Sequence, residues 1–334
     1  MKLLITGGAG FIGSNFIHHI LGKYPDYEVI NIDKLTYCGN LENLEKVKDH
    51  EKYKFIKCDI CDSEKIDEIF QEEKPDFVIN FAAETHVDRS ILDPDAFVKT
   101  NFLGTHILLE AVKKYGIARF MHISTDETYG SINKGKFKED DTLLPNSPYS
   151  ASKASADLLA RSYFKTFSLP VVITRSSNNY GPYQFPEKVI PLFISNILQG
   201  KKVPLYGTGM NIRDWIYVQD NCEGLDAVLH DGEDGEIYNI GGGNEKTNLE
   251  LTQIILNELD KDDSHIEYVE DRLGHDLRYA LDIEKVKKIG WEPKHTFEDA
   301  IKKTINWYLE NEAWWKKLQT KELGEYYEKQ YGDR

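Results

Sequence analysis

Lys2-Leu3-Leu4-Ile5-Thr6, followed without a break by Gly7-Gly8-Ala9-Gly10-Phe11-Ile12-Gly13, is the stretch that decides the fold. The first five residues make a short apolar run of strand length, and glycines 7, 10 and 13 follow as G-x-x-G-x-x-G at the opening of a helix. Glycine at those places permits a tight turn and a close backbone approach, while free N–H groups and the dipole at the helix amino end attract a pyrophosphate. Twenty residues past Gly13, Asp33 closes the run EVINID. A carboxylate there accepts hydrogen bonds from an adenosine ribose and disfavours a 2′-phosphate, so the pattern predicts a site for NAD rather than NADP.

Downstream, the β-branched runs YKFIKC, DFVINFA, RFMHIST and VVITR alternate with longer helical patterns. Repeated βαβ units predict an α/β fold, a Rossmann-like doubly wound parallel sheet whose ligands bind beyond the carboxyl ends of the strands. Asp59, ending the third strand, and Phe81-Ala82-Ala83, ending the fourth, would then face the dinucleotide. After about residue 180 the alternation loosens into PYQFPEKVIP, YGTGMNIRDWIYV and a GGG stretch. We expect residues 1–180 to form the cofactor-binding domain and 181–334 a smaller, mainly substrate-binding region. Some segments, EIYNIG among them, would return to the sheet.

At 334 residues, with 40% apolar and 29% charged residues, the chain can bury a sizeable core and falls outside disordered compositions. Its net charge of −15 argues against nucleic acid or an anionic membrane as partner, so an anionic ligand requires a local basic pocket. Cysteines 38, 58, 61 and 222 are too few and too irregular for a disulfide framework, which suits a reducing cytoplasm. Cys58 and Cys61 have C-x-x-C spacing but no second pair or histidine cluster, so no metal site is expected. The glycine-broken amino terminus does not read as a signal peptide, and no apolar run approaches membrane-spanning length. From Trp314 onward the Lys, Glu and Tyr content reads as a solvated helix end.

Tyr149 and Lys153 stand four apart just after Pro148, on one face of a helix. An ammonium beside a phenol favours the phenolate, and a phenolate can take a proton from a sugar hydroxyl as hydride leaves the same carbon. Ser124 and Thr125, ending the preceding strand, can hydrogen-bond the same hydroxyl.

With these motifs the chain resembles the extended short-chain dehydrogenase/reductase superfamily and, more narrowly, the dTDP-glucose 4,6-dehydratases. The narrower resemblance rests on DKLTYCGNLENL at 33–44, FAAETHVDRSI at 81–91, STDETYG at 124–130, SSNNYGPYQFPEKVIP at 176–191 and IRDWIYV at 212–218, over nearly the whole chain. It implies removal of water from a nucleotide-activated hexose, dTDP-glucose, with Thr125, Asp126, Glu127, Tyr149 and Lys153 carrying the chemistry. Oxidation at carbon four acidifies the proton on carbon five, a base removes it, and an acid protonates the hydroxyl leaving carbon six. In the family the acid is the residue matching Asp126 and the base that matching Glu127; sequence alone does not order them. For the dinucleotide the resemblance adds Lys34, Thr36, Ile60, Thr100 and Asn179 to the glycine loop with Phe11 and Ile12. For the nucleotide sugar it implies Thr85, Thr125, Asn178, Lys188, Val189, Pro204, Tyr206, Arg213, Asn248, Arg272 and His275. His86 reads instead as a structural histidine.

The chain departs from the family at Thr85, Thr128 and Asn80, and at Leu273 and Leu277, where relatives carry proline and arginine. The last two sit beside the expected nucleotide site, so these departures bear on the choice of base rather than on dehydration. A nucleotide-sugar 4-epimerase, a dehydratase of another nucleotide hexose, and a dinucleotide-sensing protein without catalysis are the alternatives; an epimerase needs the tyrosine and NAD but no acid pair. Two apolar-rich helices, VKTNFLGTHILLEAVKKYG and SASKASADLLARSYFKTF, predict a homodimer.

Overall fold

The computed structural model describes residues 1–319. The first half runs β1 (Lys2–Thr6), α1 (Phe11–Lys23), β2 (Glu28–Asp33), β3 (Tyr53–Lys57), α2 (Ser63–Glu73), β4 (Phe77–Asn80), α3 (Val87–Leu92), α4 (Pro94–Phe97), a π-helical turn (Val98–Gly104), α5 (Thr105–Tyr115), β5 (Arg119–Thr125), α6 (Pro148–Phe167) and β6 (Val171–Ser176). There follow β7 (Asn178–Tyr180), α7 (Val189–Leu198), β8 (Val203–Tyr206), β9 (Ile212–Tyr217), α8 (Val218–Asp231), β10 (Ile237–Ile240), β11 (Glu245–Thr247), α9 (Asn248–Glu258), β12 (Ile266–Val269), α10 (Glu284–Lys287), α11 (Phe297–Glu310) and α12 (Glu312–Leu318).

Seven parallel strands in the order β10-β6-β5-β4-β1-β2-β3 form the central sheet, with one buried cluster on each face. Leu3, Leu4 and Ile5 are fully buried, because a strand covered by helices on both sides has no polar face to present. The strand order reverses between β1 and β4, and that is where a crevice must open at the carboxyl ends. β10 comes from the second half of the chain and pairs with β6 from Ile237 opposite Ile173 to Ile240 opposite Ser176. Beside this sheet, β9 pairs with β7 in parallel and with β11 antiparallel, and β8 pairs with β12.

α6 begins where the sequence asks it to. Ser147 and Ser150 form a reciprocal capping box, and Pro148 occupies the first turn, where its missing N–H costs nothing. The expected solvated end at Trp314 is corrected. Trp315 is fully buried and donates to the Tyr308 carbonyl at 2.9 Å, while Trp314 donates 3.0 Å to Asn43 near the amino terminus. Two indoles offer too much apolar surface to leave in water, whatever the charge of their neighbours. Residues 320–334 of that tail lie outside the described residues.

Candidate active site

Two clefts meet at the carboxyl ends of the strands. The first is floored by the glycine loop between β1 and α1. Gly7 has φ +66° and an added Cβ would lie 2.7 Å from the Ala82 nitrogen; at Gly13 it would lie 2.4 Å from the Gly7 carbonyl oxygen. Only glycine leaves this cradle open. Asp33 accepts from the N–H of Ala9 (3.0 Å) and of Leu35 (2.8 Å), which ties β2 to the loop. Lys34 pairs with Asp59 at 2.7 Å. Asp59 and Phe81 lie just past the ends of β3 and β4. Every residue expected around the dinucleotide lines this cleft, including Ile60, Ala82, Ala83, Thr100 and Asn179. The cradle, the carboxylate at the end of β2 and the small wall of Ala82 and Ala83 fit NAD. Cys58 is buried and Cys61 half-buried, both are free thiols, and no metal-binding group of acids, histidines and cysteines occurs among the described residues.

Thr125, Asp126, Glu127, Tyr149 and Lys153 stand at the inner end of the same cleft. A one-turn 3₁₀ helix, Asp126–Tyr129, follows β5, and the Thr125 side chain caps it by accepting from the Glu127 N–H at 3.3 Å. Thr128, one of the departures, is buried and donates to the Thr125 carbonyl at 2.9 Å, which supports the same turn. Asn80, another, bridges Thr6 and Thr105 beneath the sheet's end.

The two neighbouring acids meet different fields. Burial first, and then the negative charges of Glu127 and Asp214, push the Asp126 carboxyl well above the ordinary range. Asp214 itself is raised by burial to about 6. Burial also raises Glu127, but Arg213, Lys188 and Arg272 oppose it. The Lys153 ammonium is lowered by burial to about 8, against the pull of Asp157. Here one expectation is corrected. Burial, then the charge of Glu127, pushes the Tyr149 phenol up rather than down. The Lys153 ammonium does not reverse this; it donates to the Ile123 carbonyl at 2.6 Å, a partner that helix spacing does not reveal.

The second cleft opens alongside and shares Thr85, Glu127, Asn178, Asn179, Gln184 and Lys188 with the first. Val189, Pro204, Tyr206, Arg213, Asn248, Arg272 and His275 gather on its walls from α7, β8, β9, α9 and the 270–277 loop. Thr125 lines the first cleft only. Arg213 is held in place by donating to the carbonyls of Ile212 (2.8 Å) and Asp276 (3.0 Å), with its guanidinium 4.4 Å from the Tyr279 ring centre. Lys188 donates to the Thr85 carbonyl at 2.9 Å. Arg272 is paired with Asp88, Nε to Oδ1 at 2.6 Å and Nη2 to Oδ2 at 2.9 Å. Leu273 and Leu277 point outward, 75% and 62% exposed, so these two departures do not form the cleft wall.

Sequence reasoning missed Asp88, Glu187, Asp276 and Tyr279, all on the second cleft. Asp88 and Glu187 sit inside the quoted segments FAAETHVDRSI and SSNNYGPYQFPEKVIP, but nothing in their spacing marks them. His86 also reaches this wall; it is buried and caps α3 by accepting from the Arg89 N–H.

A family model described as GDP-mannose 4,6 dehydratase matches residues 4–304. The chain is 50% identical to dTDP-glucose 4,6-dehydratase of Escherichia coli, covering 95% of this chain and 96% of that one. It also superposes with a TM-score of 0.93 on dTDP-glucose 4,6-dehydratase of Streptomyces venezuelae, solved with NAD and TYD bound, at 50% identity over 95% of this chain and all of the other. UDP-glucose 4-epimerase of Thermotoga maritima stands further off, at 32% identity and a TM-score of 0.86 over 93% of this chain and 99% of that one. The chain belongs to the dTDP-glucose 4,6-dehydratases, within the wider family that the GDP-mannose 4,6 dehydratase model describes.

Proposed function

We propose that the enzyme converts dTDP-glucose to dTDP-4-keto-6-deoxyglucose and water, with NAD bound throughout. The observation that carries this reading is the unequal pair at 126 and 127. Burial raises both carboxyls, but at Asp126 the charges of Glu127 and Asp214 add to the rise, whereas at Glu127 the cations Arg213, Lys188 and Arg272 oppose it. One neighbour is thus suited to give a proton and the other to take one.

Bound NAD supplies a hydride acceptor, later a hydride donor, and a positive ring charge. Tyr149, on α6, takes the proton of the 4-hydroxyl; burial raises its phenol, and the positive ring charge of bound NAD together with the Lys153 ammonium would offset that rise. Glu127 removes the proton from carbon five once the neighbouring ketone has acidified it, and returns a proton to carbon five when carbon six is reduced. Asp126 protonates the hydroxyl on carbon six, which otherwise leaves poorly. Thr85, Thr125, Asn178 and Asn179 orient the hexose, and Lys188, Arg213 and Arg272 neutralise the diphosphate. Pro204, Tyr206, Asn248 and His275 hold the nucleotide end, with Tyr206 offering a stacking face.

The cofactor lobe comprises residues 1–180 and the substrate lobe most of the remainder. The four free thiols suit a reducing cytoplasm. No helix among the described residues is long and apolar enough to cross a membrane. The enzyme works as a homodimer through α6 and the Val98–Tyr115 segment, where Val98, Leu103 and Leu158 lie more than two-fifths exposed.

Incubating NAD-loaded protein with dTDP-glucose and, separately, UDP-glucose, with products read by mass spectrometry, tests the reaction and the base together. A loss of one water from dTDP-glucose is expected. Turnover of neither sugar to a 4-keto-6-deoxy product overturns the reading, and isomerisation without loss of mass favours the 4-epimerase.

A further inference from the structure

The loop that follows β2, residues 34–40, forms part of the wall of the first cleft. Lys34, Thr36, Cys38 and Gly39 line the cleft from this loop. Both its ends are fixed to the floor, since Leu35 donates to Asp33 at 2.8 Å and Asn40 donates to the Ala9 carbonyl at 3.0 Å. Gly39 packs so closely over Asp33 that an added Cβ would lie 2.9 Å from its Oδ1. The loop is therefore folded directly onto the carboxylate expected to receive the adenosine ribose.

Its far side is tied to the opposite wall by a buried acid. Glu187 comes from the segment leading into α7, and its side chain is wholly shielded from solvent. Tyr37 donates to Glu187 Oε1 at 2.8 Å, and the Cys38 thiol approaches the same oxygen at 3.7 Å. Arg89, on α3, brings Nε to 3.5 Å from Glu187 Oε2 and lays its guanidinium 3.8 Å from the centre of the Tyr37 ring. Phe185 meets the same ring edge to face at 5.4 Å. The loop and α3 thus converge on one carboxylate, and the tyrosine reaching it is carried by the loop that lines the dinucleotide cleft.

Nothing in the elimination chemistry uses Tyr37, Arg89 or Glu187. A buried carboxylate is expensive unless its partners are held in place, so such a cluster is costly as mere scaffolding for a surface loop. We propose that Tyr37, Arg89 and Glu187 form a clamp that holds the 34–40 loop shut across the dinucleotide and sets how slowly it leaves. A reaction that takes hydride from one carbon and returns it to another consumes no cofactor, and loss of the reduced form between the two transfers would strand the oxidised sugar. Slow release is the property the clamp provides. The three are positioning residues, and the inference rests on NAD occupying the first cleft.

Two variants test it. Tyr37→Phe removes one hydroxyl and keeps the ring, and Glu187→Gln keeps the shape and removes the charge. Each is purified as the full chain and its NAD content measured, and the dissociation rate is followed by exchange against labelled NAD. Loss of a hydrogen bond to a charged group corresponds to about a tenfold faster release, with association little changed. The thermal midpoint of each variant without NAD is measured alongside, because a purely structural role would lower the midpoint and leave the release rate alone. Should Glu187→Gln fail to fold, Tyr37→Phe alone decides. Release within twofold of the parent overturns the clamp, whatever happens to the midpoint. A parent protein that binds no NAD at all overturns the cofactor assignment beneath it, a result distinct from clamp failure.

Discussion

Asp126 and Glu127 differ by one methylene and one position in the chain, yet their surroundings separate them. Asp126→Asn should lower water loss by about 10²–10⁴-fold, the usual worth of a general acid, while solvent deuterium still exchanges at carbon five. Mass spectrometry in heavy water reads both steps, and equal loss of the two would remove the acid role. Glu127→Gln should instead abolish exchange as well as elimination. Because the Lys153 ammonium is lowered to about 8, it is charged below that pH and loses its proton as pH rises through it. The maximal rate should therefore fall on an alkaline limb near pH 8, and Lys153→Met should be slow and lack that limb. The acid pair was visible in the sequence as two adjacent letters, and Tyr149 with Lys153 as a helical spacing. What no spacing conveys is who holds the ammonium: Lys153 donates to a carbonyl of β5, thirty residues earlier in the chain.

Among the elements, α1 and α8 are joined by one buried acid. Asp226 on α8 contacts His19 (2.8 Å), Lys23 (2.6 Å) and Tyr24 (3.0 Å), and His230 one turn on. Burial resists ionisation, but the hydrogen bonds from His19, His230 and Lys23 win and hold the Asp226 carboxyl far below its ordinary value. His230 is raised, chiefly by its bond to Asp226. The signs follow by linkage. Asp226 stabilises the fold above about pH 4 and loses that contribution as pH falls through its depressed value; His230 contributes below about pH 6.5 and loses it as pH rises through its raised value. Urea unfolding should find the link strongest between those limits, and Asp226→Asn should cost about 2 kcal/mol there, since it removes the buried charge to which the partly exposed His19, Lys23 and His230 are hydrogen-bonded. The strands themselves were legible because doubly covered parallel strands read as unbroken β-branched runs. The end of the chain was not, because the partner of Trp314 is Asn43, too distant in sequence for any local pattern to reveal.

For the whole molecule, the exposed Val98, Leu103 and Leu158 form apolar surface on helices that pack together. Leu158→Asp should shift sedimentation of the enzyme from dimer to monomer at micromolar concentration; an unchanged dimer would place the interface elsewhere. The broad architecture was legible from the glycine loop and the alternating pattern, whereas the convergence of α7, β8, β9, α9 and the 270–277 loop on one cleft was not, since each piece is ordinary by itself. The place of β10 at the sheet's edge has a further bearing on how the chain is made. As the polypeptide emerges from the ribosome, β6 has no neighbour on its outer side until Ile237–Ile240 arrives, some sixty residues later. Until then a nascent chain displays a bare row of amide and carbonyl groups, the kind of template on which strangers pair. A fragment cut near residue 180 would keep that edge permanently, and should be recovered as aggregate where the intact chain is recovered in solution.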